Sequence, residues 1–264
     1  MSGGFPIFGE INRPQSSAAS FYGTQLTTGI ANTKAAWTQL IASTSGDIST
    51  IGVELLTGSA IVSLVDIGIG ASGFEMPIIL NIPYVVRGST GLYTNFKFPI
   101  NILSGSRIAA RAQSNTGNSP LCIVQGYDGD LTSLDGYAIM DGTLGAGATS
   151  LVSAVPNAVA TTKGTFTQLT ASTTADYMAV HVSLFSDVNI NAMAWATDIA
   201  IGSAGSEKVI IPNLPLYTGG VDNPSPAFGD TFNISIPSGT RVAARCSSVT
   251  STTAGISVGV QGIK

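Results

Sequence analysis

An eight-residue stretch occurs twice in this chain, as Ser104-Gly105-Ser106-Arg107-Ile108-Ala109-Ala110-Arg111 and as Ser238-Gly239-Thr240-Arg241-Val242-Ala243-Ala244-Arg245. Six of the eight positions are identical, so whatever fold serves the first copy must also serve the second. Each copy reads as a Ser-Gly turn running into a strand whose residues alternate between two faces. With a side-chain period of two, Ile108 and Ala110 face a core, while Arg107 and Arg111 share the opposite face, as do Arg241 and Arg245.

The duplication extends well beyond this stretch. Ala31 to Thr44 match Ala160 to Thr173 at nine of fourteen positions, including Thr38-Gln39-Leu40 against Thr167-Gln168-Leu169. Asp66-Ile67-Gly68-Ile69-Gly70 through Glu75 aligns with Asp198-Ile199-Ala200-Ile201-Gly202 through Glu207, and Ile78-Ile79 and Asn81 then meet Ile210-Ile211 and Asn213. The offset between copies is 129 at Ala31 and Ala160, 132 at Asp66 and Asp198, and 134 at Ser104 and Ser238. Such small changes between matched blocks are what loop-length differences produce.

No segment shows a sustained helical stripe. Short apolar runs punctuated by Gly, Pro, Asn and Ser predict eight strands per copy, in the first near 22–28, 36–42, 50–56, 60–69, 76–82, 96–102, 106–113 and 120–127. Eight strands per domain of this size suit a jelly roll, so the expected fold is all-β, with two tandem jelly-roll-like β-sandwiches. The expected organisation is an extended N-terminal arm (1–21), a first sandwich (22–128), a linker rich in Gly and Asp (129–150) and a second sandwich (151–264). The arm lacks the composition for a core of its own, and Phe5, Ile7, Phe8 and Ile11 are its candidates for docking, either on a neighbouring subunit or back on a domain.

Composition narrows the classes of function. Only 10% of the 264 residues are charged, against 44% hydrophobic and 31 glycines. Free soluble domains favour surfaces that are roughly 25 to 35% charged, so a surface built of Ser, Thr, Asn, Gly and backbone suits a subunit packed against neighbours. A net charge of −4, with 11 Lys and Arg spread along the chain, offers no basic stripe for nucleic acid. The N terminus lacks the basic start and apolar run of a secretory signal, and the longest apolar run, Leu55 to Val65, is too short to span a bilayer. Neither nucleic acid nor membrane is an expected partner. Cys122 and Cys246 occupy non-equivalent positions and read as buried thiols rather than a disulfide or metal pair.

Motif matches with catalytic associations have simpler structural readings. Gly68-Ile69-Gly70-Ala71-Ser72-Gly73 fits the dinucleotide fingerprint literally, but a strand with Pro77 and Pro83 follows where a helix is required, and the second copy has Ala200 at the first glycine. It reads as a β-turn. His181 is the only histidine and sits in an alternating strand, which gives no support for a Ser-His-Asp arrangement. Asp128-Gly129-Asp130 lacks the further ligands of a calcium loop, and Asn233-Ile234-Ser235 is a sequon without an export signal. No catalytic residues, metal or cofactor are expected. Trp37 aligns with Phe166, and this aromatic exchange reads as a core anchor in each copy rather than a sugar platform.

The repeated arginines Arg107, Arg111, Arg241 and Arg245 have two readings: ion pairs within each sandwich to the repeated acids Asp66, Glu75, Asp198 and Glu207, or contacts between subunits. Two longer variable segments, Tyr84 to Phe96 and Tyr217 to Phe232, are the candidate recognition loops, with Tyr84, Tyr93, Tyr217 and Asp222 as their candidate contacts.

The phrases from Ile199 to Pro212 and from Ile236 to Ser248, present in both copies in related form, resemble segments of virion structural proteins of tailed bacteriophages, particularly head-decoration and tail-associated β-sandwich proteins. The resemblance implies a non-enzymatic subunit, assembled in the host cytoplasm and resident in the virion. Its implied partners are a major capsid protein or tail proteins, and further copies of itself as a homo-oligomer. The leading expectation is therefore a capsid decoration or cement protein. A receptor- or carbohydrate-binding tail or fibre module with a glycan partner is the alternative, and a β-sandwich glycan lyase or hydrolase comes third.

Overall fold

Alternation along each strand decides which face it buries, and the two copies repeat that alternation nearly strand for strand. The computed structural model describes residues 7–11, 23–29, 33–57, 61–86, 92–114, 117–128, 140–144, 154–156, 161–185, 193–218, 228–249 and 255–264. Among these residues every helical or extended element is a strand. The first copy contributes β1 (Ile7–Ile11), β2 (Thr24–Gln25), β3 (Thr28–Gly29), β4 (Thr38–Ile41), β5 (Thr50–Thr57), β6 (Ile61–Ile69), β7 (Met76–Val86), β8 (Leu92–Phe98), β9 (Ile108–Ser114) and β10 (Leu121–Asp128). The second contributes β11 (Met140–Leu144), β12 (Ala154–Pro156), β13 (Thr167–Thr170), β14 (Ala179–Phe185), β15 (Met193–Ile201), β16 (Lys208–Thr218), β17 (Phe228–Phe232), β18 (Val242–Ser248) and β19 (Gly255–Ile263).

One sheet of the first copy runs β1-β10-β5-β8 with β2 also on β10, and the other runs β3-β9-β6-β7 with β4 also on β9. The second copy repeats both orders, as β11-β19-β14-β17 with β12 on β19, and as β13-β18-β15-β16. Strands β4 and β5, β5 and β6, β7 and β8, β8 and β9, and β9 and β10 each change sheet, while β6 and β7 are neighbours in one. That alternation between two facing sheets is the jelly roll, so the sequence-based fold class holds in both copies. The chain divides into two compact units, Met1–Ile82 with Thr90–Met140, and Pro83–Ser89 with Asp141–Lys264.

Register matches as well as order. Val53 lies opposite Val124 in the first copy and Val182 opposite Val260 in the second. In β9 and β18 alike, Ala110 and Ala244 are buried on the core side, with Ile108 and Val242 two residues earlier. The second core gathers Val180, Val182 and Leu184 of β14 against Trp195, Ile199, Ala244 and Cys246 of the other sheet. Cys122 and Cys246 are both buried thiols, and burial pushes that of Cys246 up to about 11. The repeated Ser-Gly turn needs its glycine, since Gly105 and Gly239 have φ of 80° and 78°, a left-handed conformation that other residues rarely adopt.

The structure adds to one expectation and corrects two. First, the arm lies back on a domain, one of its two expected dockings, and the arm and the linker hold the same element. Ile7-Phe8-Gly9-Glu10-Ile11 forms the β1 edge along β10, and Met140-Asp141-Gly142-Thr143-Leu144 forms the β11 edge along β19. Only the central glycine is shared between these segments, which is why matching by identity passes over them. Ile7, Phe8 and Ile11 thus belong to a sheet of their own copy, and Phe5 lies outside the described residues. Second, β8 spans 92–98 instead of 96–102. Phe96 and Phe98 alternate into the core opposite Val53 and Ile51, and Pro99, which cannot donate to a ladder, then ends the strand. Third, Trp37 and Phe166 are half-buried on the outer face of their sheets, with an arginine stacked on each, and are not interior anchors.

The outer-face aromatics are matched to what lies beneath them. A Cβ added at Gly68 would stand 2.7 Å from Cη2 of Trp37, whereas the second copy has Ala200 under the smaller Phe166. Gly68→Ala should therefore lower stability by about 1–3 kcal/mol through overpacking. Adding Trp37→Phe should recover most of the loss, because it recreates the second copy's pair. Thermal unfolding of the single and double variants checks this, and equal melting temperatures for both would contradict it.

Candidate functional site

The repeated acids and arginines meet on the outer face of the β9-β6-β7 sheet and of its counterpart. Asp66 and Arg111 are directly paired across β6 and β9, as Asp198 and Arg245 are across β15 and β18. The Asp66 carboxylate, only 1% exposed, receives three donors. Lys34 Nζ donates to Oδ1 at 2.6 Å, the Asn81 backbone N–H donates to the same oxygen at 2.8 Å, and Arg111 Nε donates to Oδ2 at 2.8 Å. Asp198 is served in the same way by Lys163, by the Asn213 N–H at 2.9 Å and by Arg245 Nε at 2.9 Å. Lys163 also donates to the Asn213 side-chain oxygen at 2.6 Å.

Backbone geometry explains the asparagines. Asn81 and Asn213 sit within the edge strands β7 and β16 with φ of 56° and 54°. Asn is among the few residues that tolerate this left-handed conformation, and the kink turns its N–H inward to the acid. The guanidinium of Arg111 then lies 4.5 Å from the Trp37 ring centroid, and that of Arg245 lies 4.5 Å from Phe166. Each arginine thus holds a carboxylate with one edge and covers an aromatic ring with its plane.

The other repeated arginine locks the hairpin. Arg107 donates through Nε to Gln39 at 2.9 Å, and through Nη1 to the Gly70 carbonyl at 3.1 Å and Glu75 Oε1 at 2.8 Å. Glu75 Oε2 meanwhile accepts the Gly73 N–H at 2.9 Å. Arg241 repeats every contact with Gln168, Gly202 and Glu207, and Glu207 accepts the Gly205 N–H. The segment that spells a dinucleotide fingerprint is therefore a β-turn pinned by an arginine.

These contacts place Arg107, Arg111, Arg241 and Arg245 in ion pairs within their own copies. Burial works to raise the Asp198 carboxyl, but hydrogen bonds from Lys163, the Asn213 N–H and Arg245 outweigh it and hold the group below its usual 3.8. Burial is the largest influence on Lys34 and pulls its ammonium down, against the attraction of Asp66. A carboxylate with both oxygens engaged is poorly suited to act as a base or nucleophile, so the cluster's chemistry is that of a fastening.

The candidate recognition residues fare differently from one another. Tyr84 is 0% exposed within β7 and aligns with the core residue Leu216, so it is not a loop contact. Burial alone drives its phenol well above the usual range. Tyr93 falls inside β8 opposite Leu56, which shortens the expected loop at both ends. Tyr217, near the end of β16, is 59% exposed. Asp222 lies outside the described residues.

Sequence reasoning missed a polar chain on the outer face of the β10-β5-β8 sheet. Tyr127 donates to Gln125 Oε1 at 2.8 Å, Gln125 donates to Glu54 Oε1 at 2.6 Å, and Lys97 stands 5.1 Å from the Tyr127 ring centroid. By strand register the second copy has Ile263, Gln261 and Ser183 at the first three positions, and His181 at the position of Gly52. His181 is buried, with Nδ1 3.0 Å from Thr231 Oγ1, and burial pushes its pKa down to about 3. Among the described residues no group of three His, Cys, Asp or Glu is placed to hold a metal ion, and no helix is long and apolar enough to cross a membrane.

No protein-family model matches the chain, and no curated protein matches it. Among solved structures, it is similar to the N-terminal CBM22-1-CBM22-2 tandem domain of Paenibacillus barcinonensis Xyn10C. Identity there is 9% and the TM-score 0.26, covering 96% of this chain and 90% of that one. It is also similar to a chain of the cryo-EM structure of broad bean stain virus, with 7% identity, a TM-score of 0.33, and 94% and 93% of the two chains covered. Likeness at this level carries no argument about function, which rests on the chain's own residues.

Two outcomes follow from the electrostatics. Asp66→Asn removes a buried anion from beneath two cations and should cost about 3–5 kcal/mol, read by denaturant unfolding. The buried histidine makes a separate, pH-dependent contribution. Its folded pKa lies below its unfolded 6.5, so the stabilisation is present above pH 6.5 and is lost as pH falls from there towards 3, by at most about 1.4 kcal/mol per pH unit. His181→Gln should flatten stability between pH 6.5 and 5, above the range where Asp198 protonates, and an unaltered slope would assign the loss to another group.

Proposed function

We propose that the chain is a non-enzymatic structural subunit of a bacteriophage virion, a capsid decoration or cement protein that bridges neighbouring subunits. The observation that carries this reading is where the charge goes. Of 11 basic side chains, Lys34, Arg107, Arg111, Lys163, Arg241 and Arg245 are ion-paired within their own copy. More than half of an already small basic complement is thus used to fasten the sandwiches, and a sparse remainder is left to keep their surfaces apart from others. A duplicated, weakly charged β-sandwich suits close packing in an assembly, with major capsid or tail proteins and further copies of the chain as partners. Its work is mechanical: apolar burial across subunit boundaries makes local opening of the shell more costly.

Tyr217 favours a second reading. Its exposed ring, one residue before the end of β16, is a contact that a receptor- or glycan-binding tail module would use. Location and copy number in purified particles separate the two. High copy on the head, with particles lacking the protein bursting at lower temperature, is the expected result. A few copies at the tail would move the assignment to receptor binding, and absence from particles would overturn both.

A further inference from the structure

We propose that two molecules of this chain pair through the outer face of the β16-β15-β18 sheet, with Tyr217 of each seated over Ala194 and Ala196 of the other. Register sets six residues of that face in two rows. Tyr217 lies opposite Ala194, whose carbonyl accepts the Val249 N–H at 3.1 Å, and Ala196 lies opposite both Pro215 and Ser247. The strand neighbours Leu216, Trp195 and Ser248 are buried on the core side, which turns these six the other way. Tyr217 is 59% and Val249 55% exposed, Pro215 is exposed too, and Ala194 and Ala196 are half-buried between them. At the positions matching Ala196 and Pro215, the first copy has Leu64 and Pro83, both buried. The second copy therefore presents as open surface what the first does not.

Shape selects the occupant. The face carries a protrusion beside a hollow: a large ring on β16 and two methyl side chains on β15. A surface built so is complementary to itself, which is the condition for an isologous pair. A two-fold axis running along the strands between β15 and β16 exchanges protrusion and hollow, and brings each ring over the partner's Ala194. Large then meets small across the roughly 10 Å that separates packed sheets, as interdigitating layers require.

Chemistry agrees with shape. None of the six residues is charged, and the ions of the next row, Asp198 and Arg245, are paired with each other. An uncharged patch with an exposed tyrosine has the make-up of an interface core. A glycan is the poorer fit. Only Tyr217 and Ser247 of the six carry a side-chain polar group, and Ser247 is 8% exposed, whereas a ligand site needs several polar groups converging on one molecule. The inference gives a surface to the self-association in the proposed function, and rests on the virion reading only for where the pair is used.

The test is sedimentation of the full chain, which should show a concentration-dependent dimer. Tyr217→Lys and Ala194→Glu, each made alone, should raise the dissociation constant by about 30-fold or more. Mixed in equal amounts, the two variants should pair again, because the mixed dimer keeps one Tyr217–Ala194 contact and sets the new lysine against the new glutamate at the other. Recovery on mixing also shows that both variants are folded. Should either fail to fold, truncation by Tyr217→Ala carries the same expected loss. A native chain that stays single at every concentration, dimers indifferent to these substitutions, or folded variants that stay single when mixed would each overturn the proposal. Glycan-array binding that Tyr217→Lys abolishes, in a chain that stays single, would overturn it in favour of the receptor reading. The protein's absence from particles would remove the virion reading while leaving the pair intact.

Discussion

Each jelly roll is fastened by one buried carboxylate. Asp66 joins Lys34 from the segment before β4, Asn81 in β7 and Arg111 in β9, so a single side chain ties together the segments that cover one sheet. An anion so fully removed from water is tolerable only because both oxygens receive charged or backbone donors, and each of those donors in turn depends on the acid. The left-handed asparagine, the lysine and the arginine stacked on Trp37 follow from that requirement. Its exact recurrence around Asp198, with a lysine, an asparagine and an arginine in matching places, shows that the second copy solves the same packing problem with the same chemistry.

Much of this was legible in the sequence because identity between the copies marks what both need. The Arg-strand, the Asp-to-Glu hairpin and most strand positions were found in that way, and the face assigned to Ile108 and Ala110 is the one they bury. What escaped was carried by shape rather than identity. Strands β1 and β11 share one glycine, because an edge strand contributes mainly its backbone and leaves its side chains free to diverge. Tyr84 is a strand residue and not a loop residue because β7 runs on to Val86, past Pro83, and buries it. Trp37 was misplaced for a related reason. An aromatic residue covered by a guanidinium has the same sequence signature as one covered by a core.

The proposed role draws on how the described basic side chains are used. A freely diffusing protein keeps its ionic side chains in water to prevent association. Here the lysines and arginines that recur between the copies are laid over acids and aromatic rings on the outer face of their own sheets. Among the described residues the exposed large apolar side chains fall at different places in the two copies, at Phe74, Met76 and Leu103 in the first and at Met178, Tyr217 and Val249 in the second.

The complementary pairs Trp37 with Gly68 and Phe166 with Ala200 also bear on how such a gene can change. Two similar stretches in one reading frame invite recombination that would make them uniform. A crossover falling between the aromatic and its small partner would unite tryptophan with alanine, crowding the ring, or phenylalanine with glycine, leaving a gap. Only exchanges that carry both positions together preserve packing. The paired volumes therefore act as a linkage constraint, and they help to keep the two halves of the chain distinct once they have begun to diverge.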